Sequence, residues 1–261
     1  MYTQTAQMKQ IILFLVGENI FVYSSLPLFS IVSSSYCDSI ADLRKKIQRL
    51  NKANVLFLDE THMRLNEAPT TTLVCPGETE YVVVEDTTAY AKRFDMIACC
   101  SGKEVLPPII YTPDERKELK VKGINTKMLV TYVQQILAQA AGALDRYPLY
   151  LILDKATCHS KVKLMEAFHD NGCQSLIDIW YMPTQASKRI SPLDHSLFHE
   201  WKERVRKRHP ITANNITQLM SDEWNNIAAQ HLFHYYQRCG LTGRGNAHFG
   251  CSQSTSHKHK Q

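Results

Sequence analysis

Leu149-Tyr150-Leu151-Ile152-Leu153-Asp154-Lys155-Ala156-Thr157-Cys158-His159 is the stretch on which the fold turns. Its five successive apolar residues are short for a buried helix and match a central strand covered on both faces. Asp154 directly behind them sits at the strand's carboxyl end, where open α/β sheets gather their ligands. A carboxylate left there unpaired is costly, so a partner or a cation is expected to meet it.

Two more acidic residues have similar settings. Asp59 follows the apolar run Val55-Leu56-Phe57-Leu58 and precedes Glu60, and Asp194 closes Ser191-Pro192-Leu193-Asp194 ahead of a helix. Three carboxylates delivered to strand ends can converge on one metal-binding cleft, which points to phosphodiester chemistry. The plainer alternative is that each is a turn or cap residue, and Asp194 fits that description best.

Outward from these acids the pattern is regular. Strands are expected at Val55 to Leu58, Thr71 to Cys75, Tyr81 to Val84, Phe94 to Cys100 and Val105 to Tyr111, an antiparallel meander punctuated by Pro76-Gly77 and Ser101-Gly102. A helix follows from about Thr126 to Ala143, then strand Leu149 to Leu153, a helix from Ser160 to His169 ended by Asn171-Gly172, and strand Leu176 to Met182. Helices from Ser196 to Arg208 and from Ile216 to Cys239 complete the pattern. Ahead of it, residues 1–52 read as an ill-defined segment ending in a linker helix, Ser39 to Asn51, and residues 241–261 read as a disordered tail.

Composition excludes little. A formal charge of +5 permits a nucleic-acid partner without requiring one. The eight cysteines have no C-x-x-C pair, so they read as reduced thiols and not as a structural zinc site. Glu18, Asn19 and Pro27 interrupt the apolar stretch from Ile11 to Val32, and no membrane span is expected.

Meander, helix, strand, helix, strand, helix, with acids on the first strand, after the strand behind the long helix and at the start of the helix after the last strand, is an α/β layout of the RNase H-like kind. It is a mixed five-stranded sheet flanked by helices. Over about Val55 to Gly240 the chain resembles the catalytic domain of the mariner-like transposases, members of the DDE superfamily of endonucleases. Leu58-Asp59-Glu60, Leu153-Asp154-Lys155-Ala156-Thr157-Cys158-His159 and Ser191-Pro192-Leu193-Asp194 carry the likeness, together with the 39 residues between Asp154 and Asp194 and the helix bearing Trp224.

That resemblance implies a metal-dependent DNA endonuclease and strand transferase. Asp59, Asp154 and Asp194 would be both the catalytic residues and the ligands of two Mg²⁺ (or Mn²⁺) ions. Glu60 and His159 are supporting candidates: alternation along a strand turns Glu60 to the face opposite Asp59. Double-stranded DNA is the implied partner, gripped by Lys202, Arg204, Arg206, Lys207 and Arg208, although such a run also reads as a solvated helix face. A homodimer is implied, as is residence in the nucleus of a eukaryote or in the cytoplasm otherwise.

Some features depart from the family's pattern. Only 58 residues precede Asp59, too few for its helix-turn-helix modules, so a truncated copy is expected. Lys155 stands where the family usually has Asn, and Asp194 where many relatives have Glu. These departures keep open a second reading, a non-catalytic DNA- or protein-binding remnant.

Overall fold

The computed structural model describes residues 12–16, 19–23, 34–67, 91–143 and 148–243. The chain forms two compact units, Met1–Cys37 and Asp38–Gln261. In the first, β1 (Ile12–Val16) and β2 (Asn19–Tyr23) pair antiparallel, with Ile12 opposite Tyr23 and Val16 opposite Asn19.

The second unit begins at Asp38, well ahead of the expected boundary at 53. Helix α1 (Ser34–Gln48) accounts for the difference, because Ile40, Leu43 and Ile47 recur at helical spacing and are all buried. Arg44 Nε donates to the Cys239 carbonyl at 2.9 Å, and Gln48 Nε2 donates to that of Gly240 at 2.9 Å. The expected linker helix is therefore a core helix tied to the far end of the same unit. Lys52 caps it by donating from Nζ to the carbonyls of Ile47 and Gln48.

Five strands make the central sheet: β3 (Val55–Arg64), β4 (Arg93–Cys100), β5 (Val105–Tyr111), β6 (Leu149–Leu153) and β7 (Leu176–Tyr181). Their order across the sheet is β5-β4-β3-β6-β7. β3, β4 and β5 run antiparallel, and β6 and β7 join β3 in parallel. At the β4–β5 turn the Gly102 N–H donates to the Lys52 carbonyl at 2.9 Å, and a Cβ at Gly102 would sit 2.6 Å from that of Lys52. Only glycine allows so close an approach. The strands expected at Thr71 to Cys75 and Tyr81 to Val84 lie outside the described residues.

Helices cover both faces of the sheet. α2 (Pro113–Glu118) is a short exposed helix, and α3 (Thr126–Tyr132) runs through a π turn, Val133–Leu137, into α4 (Ala138–Ala143). Leu56 and Leu58 of β3 pack with Met128, Leu129, Tyr132 and Val133 and with Leu164 and Phe168 of α5 (Lys161–Asp170). α5 ends as Asn171-Gly172 suggests: Gly172 takes a φ of 72°, its N–H donates to His169, and the Cys173 N–H reaches back to Phe168.

A short helix, α6 (Ser187–Ile190), and a second π turn, Leu193–Leu197, lead into α7 (Phe198–Arg206). The single helix expected from Ile216 to Cys239 is two, α8 (Ile216–Asn225) and α9 (Ala229–Arg238). Asn225-Asn226 favours helix weakly, and Ala228 is extended, with a φ of −70° and a ψ of 141°. The break still buries Ile227. Trp201 and Trp224 are fully buried edge to face at 6.3 Å, and Trp224 Nε1 donates to the Leu106 carbonyl at 2.9 Å. On the β3 face opposite Leu56, Tyr236 of α9 stands edge-on to Phe57 and donates to the Val55 carbonyl.

Leu241 and Thr242, placed in the tail by sequence, are buried in the core; residues beyond 243 lie outside the description. The mixed five-stranded sheet between helical layers is the RNase H-like α/β fold expected. Among the described residues no helix is long and apolar enough to cross a membrane.

Candidate active site

Asp59 is not at a strand end. It is the fifth residue of the ten-residue β3, which continues because β4 pairs with it from Phe57 opposite Cys100 to Arg64 opposite Arg93. The parallel pairing with β6 stops at Phe57 opposite Ile152. Asp59 therefore lies two residues past the parallel part of the sheet, level in register with Asp154, which follows the last residue of β6. Asp194 arrives from the π turn Leu193–Leu197, which packs against β3. Single-turn π segments inside helices are frequent at functional sites.

Asp154 and Asp194 both act electrostatically on Asp59. Burial pushes the Asp59 carboxyl well above the usual carboxylate range, and the charges of Asp194, Glu60 and Asp154 push it further. The Glu60 N–H, donating to Asp59 Oδ1 at 2.8 Å, pulls the other way. Asp59 is thus a buried oxygen donor whose ionised form is disfavoured, a state that a hard divalent cation relieves. Ligand-type atoms that all lie within 4.8 Å of one another are found at Glu60, Cys158 and His159, not at the aspartate trio.

His159 is the centre of a clamp that the sequence did not reveal. Its side chain is fully buried; Nδ1 lies 2.6 Å from Asp154 Oδ1 and 3.1 Å from the Asp154 carbonyl, and Nε2 lies 2.9 Å from Glu60 Oε1. Burial alone would lower its pKa, but hydrogen bonds to Asp154, Cys158 and Glu60 outweigh that and hold it above the ordinary imidazole range. The same bond from His159, helped by the Ala156 N–H, holds the Asp154 carboxyl below its usual range against partial burial. Both of these bonds fall on Oδ1. Glu60 does turn to the face opposite Asp59, and that is why it reaches His159, which precedes α5 on that side. Lys155 is exposed, and the side chain that reaches Asp154 is His159.

The basic run on α7 is not a row of unengaged cations. Arg204 pairs with Glu200 at 2.6 Å, Arg206 with both Glu67 and Glu203 at 2.5 Å, and Arg208 with Glu223 at 2.5 Å. Lys207 is exposed. Lys202 is half-buried; burial and Arg206 lower its pKa, while Glu67 and Asp194 raise it. Arg116, in the other basic stretch, braces the fold by pairing with Asp95 at 3.0 Å and donating to the Arg93 carbonyl at 2.7 Å.

A family profile described as DDE superfamily endonuclease matches residues 54–217. The chain belongs to the DDE superfamily of endonucleases. Its fold is similar to that of the Mos1 strand transfer complex, with a TM-score of 0.57 and 12% identity over 78% of this chain and 57% of that one. The Mos1 transposase paired-end complex with the left transposon end gives 0.59 and 10% over 84% and 63%. The catalytic domain of Mos1 mariner transposase gives 0.53 and 9% over 84% and 93%. At these identities the likeness is one of fold. The chain spans about three-fifths of the length of the Mos1 chains in the two complexes. A comparison with curated proteins finds no match.

Proposed function

We propose that the chain is a metal-dependent DNA endonuclease and strand transferase of the mariner-like type, working on duplex DNA. The observation that carries this reading is the placement of buried Asp59 level in register with Asp154 where the parallel part of the sheet ends, with Asp194 on the π turn that packs against β3. Asp59, Asp154 and Asp194 would hold two Mg²⁺ or Mn²⁺ ions, whose chemistry when bound is to neutralise charge on the entering and leaving oxygens of the phosphodiester.

The chain's own groups prepare that site. His159 and the Ala156 N–H fix Asp154 through Oδ1 and keep it ionised, which leaves Oδ2 for a ligand. The Glu60 N–H fixes Asp59 in the same way, again through Oδ1. Water attack at phosphorus breaks the P–O3′ bond and leaves a 3′-hydroxyl and a 5′-phosphate, and that hydroxyl then attacks a phosphodiester of the target strand, joining to its 5′ side and releasing the target's own 3′-hydroxyl. Lys202 and Lys207 are assigned to phosphates, with Arg204, Arg206 and Arg208 adding positive charge from within their ion pairs. Two copies of the chain act together, one on each DNA end.

Incubation of supercoiled DNA with the purified chain and Mg²⁺ or Mn²⁺ tests this. Nicking is expected from the native chain and not from Asp154→Asn or Asp194→Asn. Identical behaviour of all three proteins would overturn the reading, and DNA binding without nicking would favour the non-catalytic remnant.

A further inference from the structure

Glu60, Cys158 and His159 bring a carboxylate oxygen, a thiol sulfur and a ring nitrogen within 4.8 Å of one another, and the nuclease reading has no use for the sulfur. Mg²⁺ prefers oxygen, whereas a thiol in the donor set selects a thiophilic dication, Zn²⁺ first among the common ones. The two nitrogens of His159 are already differentiated. Nδ1 faces the Asp154 carbonyl at 3.1 Å as well as Oδ1 at 2.6 Å, and a carbonyl only accepts, so Nδ1 carries a hydrogen. Nε2, 2.9 Å from Glu60 Oε1, is the nitrogen turned to the cluster; without metal it donates to that carboxylate, and a bound dication takes the place of its proton, which leaves to solvent with that of the Cys158 thiol.

A zinc-bound imidazole characteristically donates its other N–H to a carboxylate, which fixes the ring. Asp154 supplies that bond here before any metal arrives. We propose that Glu60, Cys158 and His159 Nε2 form a site for one Zn²⁺ ion, separate in chemistry from the aspartate trio, with Asp154 orienting the histidine and a fourth position open to solvent. Zinc–ligand bonds of about 2.0–2.3 Å set tetrahedral edges of roughly 3.3–3.8 Å, so the Nε2–Oε1 gap opens slightly and the longest separation closes by about 1 Å at most. Cys158 is half-buried and the Glu60 side chain is 19% exposed, which gives the ion a way in. The ligands come from β3 and from the segment before α5, 99 residues apart for Glu60 and His159, so the ion cross-links two distant parts of the fold.

Titration of the full chain with Co²⁺, in excess Mg²⁺ to fill oxygen-only sites, tests the proposal by absorption and needs no nuclease activity. A thiolate-to-cobalt charge-transfer band is expected, displaced by one equivalent of Zn²⁺. It should vanish in Cys158→Ser, with at least a tenfold loss of Zn²⁺ affinity, and persist in Asp194→Asn. Thermal melting without metal confirms that each variant is folded. No band in the native chain, or an unchanged band in Cys158→Ser, overturns the site. Neither result bears on the aspartate trio.

Discussion

Replacing His159 with glutamine probes the clamp that holds Asp154. The imidazole is fully buried and bonds two carboxylates, with Glu60 19% and Asp154 42% exposed. A hydrogen bond to a charged partner contributes about 1.5–3 kcal/mol. The Glu60 bond is shielded enough to count in full, and solvent screening roughly halves the Asp154 bond. Loss of both makes the metal-free protein about 2–4 kcal/mol less stable. For a unit of this size that lowers Tm by about 5–15 °C. Urea denaturation and calorimetric melting of both proteins in chelator measure it. Positioning of Asp154 is read separately: the Mg²⁺ concentration for half-maximal nicking should rise tenfold or more, as loss of a ligand's orienting partner costs 10–100-fold in affinity. A variant within about 1 kcal/mol of the native chain would refute the clamp, since losing one shielded and one half-screened charge-assisted bond costs about twice that at the least.

Asp59→Asn keeps the acceptor for the Glu60 N–H and removes the charge that Asp194, Glu60 and Asp154 oppose, so the metal-free protein should melt higher while nicking is lost. A lower Tm would count against an electrostatically strained site. Lys202→Ala with Lys207→Ala should weaken binding to duplex DNA and flatten its salt dependence by about one log–log slope unit per lost phosphate contact. By contrast, Arg206→Ala should chiefly lower Tm, because it releases Glu67 and Glu203. Equal effects on DNA affinity would erase that division. Trp224→Phe leaves the buried Leu106 carbonyl without its donor and should cost about 1–3 kcal/mol in urea denaturation, with the DNA salt slope unchanged.

The parallel half of the sheet was legible in the residues. β6 falls where the run Leu149 to Leu153 places it, and Asn171-Gly172 ends α5, because a buried strand and a left-handed glycine cap leave local marks. Asp59 was misplaced for a non-local reason: whether β3 stops at Leu58 or runs to Arg64 depends on β4, some forty residues later, and not on its own sequence. The attachment of α1 is non-local in the same way, since Arg44 and Gln48 donate to the carbonyls of Cys239 and Gly240, 195 and 192 residues away. His159 was visible as a candidate, but its role was not. Its bond to Glu60 spans 99 residues, and a strand's alternation tells which face a side chain takes without telling what waits there.

The five-residue coil at Leu193–Leu197, closed by the Phe198 amide on the Leu193 carbonyl, holds one residue more than an ordinary helical turn. Downstream, Trp201 and Val205 are pinned in the core, so that surplus residue sets the bearing of Asp194 relative to them. Excising one residue between Asp194 and Phe198 would relax the coil and swing the carboxylate by about 100° around the axis while leaving every remaining side chain's identity intact. The count of residues at this point thus steers the third acid as much as the choice of residue does, and single-residue insertions or deletions here should be far less tolerated than substitutions.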